Sequence, residues 1–214
     1  AVPGSPGAGT PTVKRAFEHI FLREGINSAV IEGDSFHRYD RAEMREAMAK
    51  AAEDGRNLSH FGPEANRFDK LAELFESYGK TGTGEKRYYL HSQEEAEHHN
   101  GRPNTNLGPG QFTPWENIPE GTDLLFYEGL HGLAVTEQDN VAQHVDLGVG
   151  VVPIVNLEWI QQIHRDTAER GHSAEAIVDP NRRRTPDYTH HHTPPPSPPA
   201  PHYPRGSRAA TPTP

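Results

Sequence analysis

The chain has 214 residues, a formal net charge of −9 and no cysteine. Its length accommodates one substantial α/β domain, alone or with a tail, and its acidic balance argues against a nucleic-acid partner held by overall charge. The lack of thiols excludes disulfides, thiolate–metal sites and cysteine nucleophiles. No apolar run approaches about 18 residues, so no membrane span is expected. The opening AVPGSPG has no basic-then-apolar leader pattern, which makes the cytoplasm the expected compartment.

In chain order, GSPGAGTPT (Gly4 to Thr12) reads as a glycine-rich loop. The segment VKRAFEHIFLREG then spaces Val13, Phe17, Ile20 and Phe21 at helical intervals and closes at Gly25. INSAVIEGD reads as a short buried strand, Ala29 to Ile31, running into an acidic loop. RAEMREAMAKAAEDG and ANRFDKLAELFESYGK read as helices, and KRYYLHS as a strand. DLLFYEG, Asp123 to Gly129, is an apolar strand with a carboxylate at its C-terminal end. VDLGVGVVPI is a further strand region, and NLEWIQQIHRDTAERG a helix ending at Gly171. Strands alternating with helices predict a layered α/β fold. Composition changes near Asp179, so the expected division is a folded domain over 1–179 and a Pro/His-rich tail over 180–214. The tail has almost no aliphatic side chains to offset chain entropy, and its proline density favours extended, disordered or irregular chain.

Three stretches could carry chemistry. In the loop, glycines permit positive φ and let backbone amides converge on an anion, with the positive end of the following helix dipole behind them. Gly4-x-x-x-x-Gly9 has phosphate-loop spacing, but Thr10 stands where such loops carry lysine, and an exposed Gly/Pro turn is an equal reading. Glu128 at the end of LLFYE could organise Mg²⁺ near phosphates, or could simply face solvent. In IEGDSFHRYDR, Asp34 is a candidate base, and His37, Arg38 and Arg41 form a cluster suited to a phosphorylated acceptor; a capped helix start with solvated charges competes with it.

Together, GSPGAGT, IEGDSFHRYDR, LLFYEGLHG and VVPIVNLEWIQQIHRD resemble bacterial-type phosphoribulokinase, in family order and with family-like separations. The resemblance implies a P-loop NTPase-like three-layer α/β/α fold with a mixed, largely parallel sheet. It implies transfer of the γ-phosphoryl group of ATP, with Mg²⁺, to the 1-hydroxyl of D-ribulose 5-phosphate in the Calvin cycle. ATP would be held by Gly4, Ser5, Pro6, Gly7, Ala8, Gly9, Thr10, Pro11 and Thr12, with Arg165 and Arg170 on a lid. Asp34 would be the base and Glu128 the Mg²⁺ partner. His37 and Arg41 would hold the sugar phosphate, with Tyr89, His91 and Asp166 nearby. Arg23, Arg183 and Arg184 match family arginines associated with NADH activation and subunit contacts, so an NADH effector and the homo-oligomers of full-length members come with the resemblance; solvated surface arginines are the plainer reading. The absence of cysteine fits the bacterial, effector-regulated type.

The chain also departs from that pattern. The family loop reads approximately GSSGAGTST, so Pro6 and Pro11 replace serines, and Pro11 removes a Mg²⁺-ligating hydroxyl and an amide donor. Gln162 stands where the family often carries lysine. Only AVP precedes the loop, where a central strand is expected. The tail keeps step with a family-like RRMPDYVHYI run at Arg183, Arg184, Pro186, Asp187, Tyr188 and His190, with apolar residues turned to Pro, Thr, Asn or His. These departures are the ones expected of a partial gene product with misread terminal codons, in which the His190–His192 run and His98–His99 are not metal sites. A related P-loop kinase such as uridine kinase, and an inactive nucleotide-binding fragment, are the rival readings.

Overall fold

The computed structural model describes residues 1–101, 106–168, 173–175 and 177–178. Its elements are α1 (Thr10–Glu24), β1 (Ser28–Glu32), α2 (Arg41–Glu53), α3 (Phe68–Thr81), β2 (Glu85–Lys86), α4 (Gln93–Asn100), β3 (Glu116–Asn117), β4 (Leu124–Glu128) and α5 (Val155–Ala168), with short 3₁₀ turns at Gly33–Phe36, Pro63–Ala65 and Ala142–His144. The anomalous tail, with Arg183, Arg184 and the triple histidine, lies outside the described residues, as does Arg170.

β1 and β4 pair in parallel, from Ser28 opposite Leu124 to Glu32 opposite Glu128. On the far side of β4 lies the opening of the chain itself. Val2 forms a parallel bridge with Glu128 and Gly4 another with Val151. The Val2 amide donates to the Tyr127 carbonyl at 2.8 Å, and the amides of Val149 and Val151 donate to the carbonyls of Ala1 and Pro3 at 2.9 and 2.8 Å. Residues 1–4 thus occupy the central position that leads into the glycine loop. Among the described residues, the only antiparallel pairing between named strands is the short β2–β3 pair.

Period-two alternation sorts side chains onto the two faces. Val30, Leu124, Phe126 and Val2 pack with Phe17 and Phe21 of α1, where the Phe21 and Phe126 rings meet edge-on at 5.5 Å. Ala29, Ile31, Leu125 and Tyr127 turn to the opposite face and pack with Phe68, Leu71, Leu74 and Phe75 of α3. The result is the expected helix–sheet–helix layering. A third cluster, Met44, Ala51, Leu58 and Ala65, seats α2 beside the acidic loop. Asp40 caps α2 by accepting from the amides of Ala42 and Glu43, while the Glu43 side chain returns to the Asp40 amide, a reciprocal capping box.

Several elements differ from expectation. KRYYLHS forms a strand only at Lys86, with one further bridge from Tyr89 to Phe112. Its backbone is held partly by side chains instead: the Thr113 hydroxyl accepts from the Tyr88 amide. VDLGVGVVPI contributes single hydrogen bonds and a bridge at Val151 rather than a full strand. α1 begins at Thr10, so Pro11 and Thr12 lie inside its first turn, where a missing amide costs nothing. α4, capped by Ser92, has too few apolar residues for its period to be read from sequence: Ala96 is its only buried residue.

Candidate active site

The C-terminal ends of β1 and β4 and the turn that follows residues 1–4 open into one cleft of about 1120 Å³. A crevice outside the carboxyl ends of parallel strands is where open α/β sheets bind ligands. Each strand end delivers a carboxylate: Glu128 is the last residue of β4, and Asp34 comes two residues after β1, in the Gly33–Phe36 turn. Both line the cleft together with Gly4, Ser5, Pro6, Gly7, Thr10 and Pro11 of the loop. His37, Arg41, Tyr89 and His91 line its other end, and α5 contributes Arg165 and Asp166. Three predicted loop residues do not line it. Ala8 is buried beneath the loop, Gly9 is the α1 N-cap, and Thr12 sits on the exposed side of the first helical turn.

At the loop, the buried Thr10 hydroxyl bonds to Glu128. Burial pushes the Glu128 carboxyl above its usual range, and the charges of Glu32 and Asp34 push it further, while Thr10 and Lys14 pull it back. Lys14 went unpredicted. It stands one helical turn beyond Thr10, so both face the cleft. Its ammonium lies 2.5 Å from Glu32 Oε1. Burial lowers the Lys14 pKa, but the Glu32 bond and the charges of Glu32, Glu18 and Glu128 outweigh it and hold the ammonium above its ordinary value. With Thr10 in the lysine position, Lys14 is the cation of α1 that reaches this end of the cleft. Its i+4 spacing from Thr10 was the available signal.

α5 lies directly on the loop. A Cβ on Gly7, whose φ is +95°, would stand 2.6 Å from the Glu158 carbonyl and 3.1 Å from Gln162 Cβ, so only glycine permits this approach. Ser5 bonds to the Glu158 side chain, and desolvation raises that carboxyl's pKa. Arg165 donates from Nε to Asp166 at 2.8 Å on the same helix.

At the acceptor end, Asp34 has its two oxygens near two imidazoles: Oδ1 is 3.4 Å from His37 Nε2 and Oδ2 is 3.6 Å from His91 Nε2. Burial lowers the His37 pKa, but bonding to Asp34 and Asn66 and the Asp34 charge outweigh it and raise it overall, with Arg87 opposing. The Arg41 guanidinium reaches the His91 carbonyl at 3.4 Å. Arg87 was also unpredicted. Its guanidinium lies 3.6 Å from the Phe112 ring centroid and 4.6 Å from that of Trp115, and donates to the carbonyls of Ser35 and His37 at 2.8 and 2.6 Å. Desolvation lowers its pKa to about 10. Arg87 therefore splints the Asp34–His37 turn from behind, a role that no short motif advertises.

A parallel sheet with a glycine loop after its central strand and carboxylates at the neighbouring strand ends defines a mononucleotide-binding P-loop fold. Comparison with known proteins narrows this. The chain belongs to the phosphoribulokinase / uridine kinase family, whose sequence profile matches residues 1–200. It is 57% identical over 192 residues to the chromosomal phosphoribulokinase of Cupriavidus necator, covering 89% of this chain and 64% of that protein. It is 53% identical to the phosphoribulokinase of Nitrobacter vulgaris with the same coverage. The solved phosphoribulokinase from Rhodobacter spheroides superposes with a TM-score of 0.75 at 43% identity, over 91% of this chain and 64% of that one. The chain therefore spans just under two thirds of the length of these relatives.

Proposed function

We propose that the chain carries the catalytic core of a phosphoribulokinase, transferring the γ-phosphoryl group of ATP to the 1-hydroxyl of ribulose 5-phosphate to give ribulose 1,5-bisphosphate and ADP. We further propose that it works in the cytoplasm. The supporting observation is the shared cleft: Asp34 and Glu128, on adjacent strand ends, face the glycine loop at one end, and His37 and Arg41 flank the other.

Asp34 takes the proton from the acceptor hydroxyl. That oxygen forms its bond to the γ-phosphorus as the bond from phosphorus to the β–γ bridging oxygen breaks, and ADP leaves with the electron pair. Asp34 then returns its proton to solvent. Arg41 holds the sugar phosphate by charge-assisted hydrogen bonds, and the cationic His37 adds its charge from beside Asp34, with Tyr89 and His91 shaping the sugar site. The amides of the loop, Lys14 and the lid side chains Arg165 and Arg170 meet the triphosphate, and closure of α5 excludes water around them.

The donor set fits Mg²⁺, which takes one or two carboxylates plus substrate phosphates and waters. Glu128, in a surplus of negative charge with Glu32 and Asp34, would hold it, with the Thr10 hydroxyl adjacent. Bound there, Mg²⁺ would neutralise charge on the phosphates. NADH activation and homo-oligomer formation through Arg23 and the arginines at 183 and 184 remain proposals on the family resemblance.

A coupled assay of ADP release with MgATP tests the reading. Turnover dependent on ribulose 5-phosphate is expected; turnover with uridine instead would move the chain to the other branch of its family, and no turnover with either would make it a nucleotide-binding remnant.

A further inference from the structure

Asn66 is 1% exposed, with its side chain committed on every side. Its Nδ2 donates to the carbonyls of His60 and Gly62, both at 2.8 Å. A carbonyl can only accept, so the amide nitrogen must face this pair and Oδ1 must face His37, whose Nδ1 lies 2.8 Å away. Oδ1 is an acceptor, so Nδ1 of His37 carries a hydrogen. A neutral imidazole has only one N–H. Neutral His37 would then turn the bare Nε2 lone pair toward the Asp34 carboxylate at 3.4 Å. Only the imidazolium satisfies both neighbours.

We propose that Asn66 is a positioning residue that fixes the proton on His37 Nδ1, so that His37 presents Nε2–H to Asp34 as a cation and holds that carboxylate in place for its work as base. The inference rests on the phosphotransfer reading of Asp34 only for that last clause. Asn66 touches neither Asp34 nor the loop and acts through His37. The other charged and titratable groups around His37 are accounted for. Arg87 donates to its carbonyl at 2.6 Å and its charge opposes protonation. Arg38 is engaged with the Glu64 and Asn66 carbonyls at 3.1 and 3.2 Å. The His60 and Tyr89 rings stand edge-on at 6.3 and 6.2 Å, and His91 lies beyond Asp34.

The test is ¹⁵N NMR of the histidine rings in the substrate-free chain, with His37 assigned by its loss in His37→Gln. In the unaltered chain both ring nitrogens of His37 stay protonated past pH 6.5. In Asn66→Leu the constraint is gone, a neutral ring can place its hydrogen on Nε2, and the midpoint falls by about one pH unit, a tenfold weaker hold on the proton. In Asp34→Asn, which leaves Asn66 and its packing intact, the midpoint also falls, and the neutral ring carries its hydrogen on Nδ1. A neutral Asp34→Asn ring with hydrogen on Nε2 overturns the proposal, as does an unmoved midpoint in a folded Asn66→Leu. Should Asn66→Leu not fold, the Asp34→Asn tautomer decides alone. With turnover established, Asn66→Leu moves the alkaline limb of the kcat profile about one pH unit toward acid. The NMR arms need no turnover, so a chain inactive on ribulose 5-phosphate can still satisfy them.

Discussion

Gly33 and Gly129 face each other across the ends of β1 and β4 so closely that a Cβ on Gly33 would lie 2.9 Å from the Gly129 Cα, and one on Gly129 would lie 2.7 Å from the Gly33 Cα. Beneath them is the Tyr127 hydroxyl, 2.5 Å from the same imagined Gly33 Cβ. Tyr127 is 1% exposed and packs edge-on to Phe75 at 5.5 Å, so it has nowhere to retreat. This pinch brings the residues flanking the glycines, Asp34 and Glu128, to one mouth of the cleft.

Gly33→Ala is therefore expected to destabilise the fold by about 1–3 kcal/mol through overpacking. It should also lower turnover more than that loss implies, because relief of the clash moves Asp34. Urea unfolding and single-turnover kinetics on the same preparation separate the two effects; an alanine variant with unaltered stability would contradict the close approach.

Asp34→Asn and Glu128→Gln should divide the chemistry between them. Removal of the base is expected to cut kcat by about 100- to 10,000-fold with a small change in the KM for ribulose 5-phosphate. Glu128→Gln should raise the Mg²⁺ concentration needed for half-maximal rate. Initial rates over a grid of metal and sugar concentrations check both, and near-normal rates in either variant would remove its assigned role.

Pro11 lines the cleft from the first turn of α1. Its replacement by serine restores a hydroxyl at that mouth without asking the helix to change course. Pro11→Ser should leave stability within about 1 kcal/mol and lower the Mg²⁺ requirement by roughly threefold to tenfold, the worth of one ordinary polar contact. Thermal melting and a metal titration read the two halves, and an unchanged titration would mean that this hydroxyl is not used.

Stability should fall as pH rises from about 5 to about 9. The folded-state pKa values of His37 and Glu128 are both raised. A raised value means that the native state binds the proton more tightly, so the stabilisation is complete below the unfolded value and is lost as pH passes through the folded one. For Glu128 that loss begins above the ordinary glutamate range, and for His37 above about 6.5. Urea midpoints between pH 5 and pH 9 should decline with a slope that His37→Gln reduces; a slope unaffected by that substitution would contradict the His37 assignment.

Much of the fold was readable because its signals are local. The α3 stripe of Phe68, Leu71, Leu74 and Phe75 follows directly from the helix period, and the unbroken apolar run of β4 from its packing on both faces. KRYYLHS misled because its paired tyrosines suggest a ladder, whereas its Arg87 is consumed by stacking on Phe112 and Trp115 and its Tyr88 amide by a threonine hydroxyl. Lys14 carries no motif signal, because phosphate loops usually place their lysine at the position of Thr10, one turn before it.

The amino-acid order alone determined which chemical groups are available and in what sequence they arrive: the glycine loop, the aspartate after one strand, the glutamate after another, and the family to which those motifs point. Such groups are specified by side-chain identity and by spacing within single elements. Only the tertiary structure decided that His37 is wedged between Asn66 and Asp34, that Lys14 pairs with Glu32, and that α5 rests on Gly7. Protonation, pairing and close approach depend on distances between segments far apart in the chain, and those distances exist only once the sheet has brought its strand ends together.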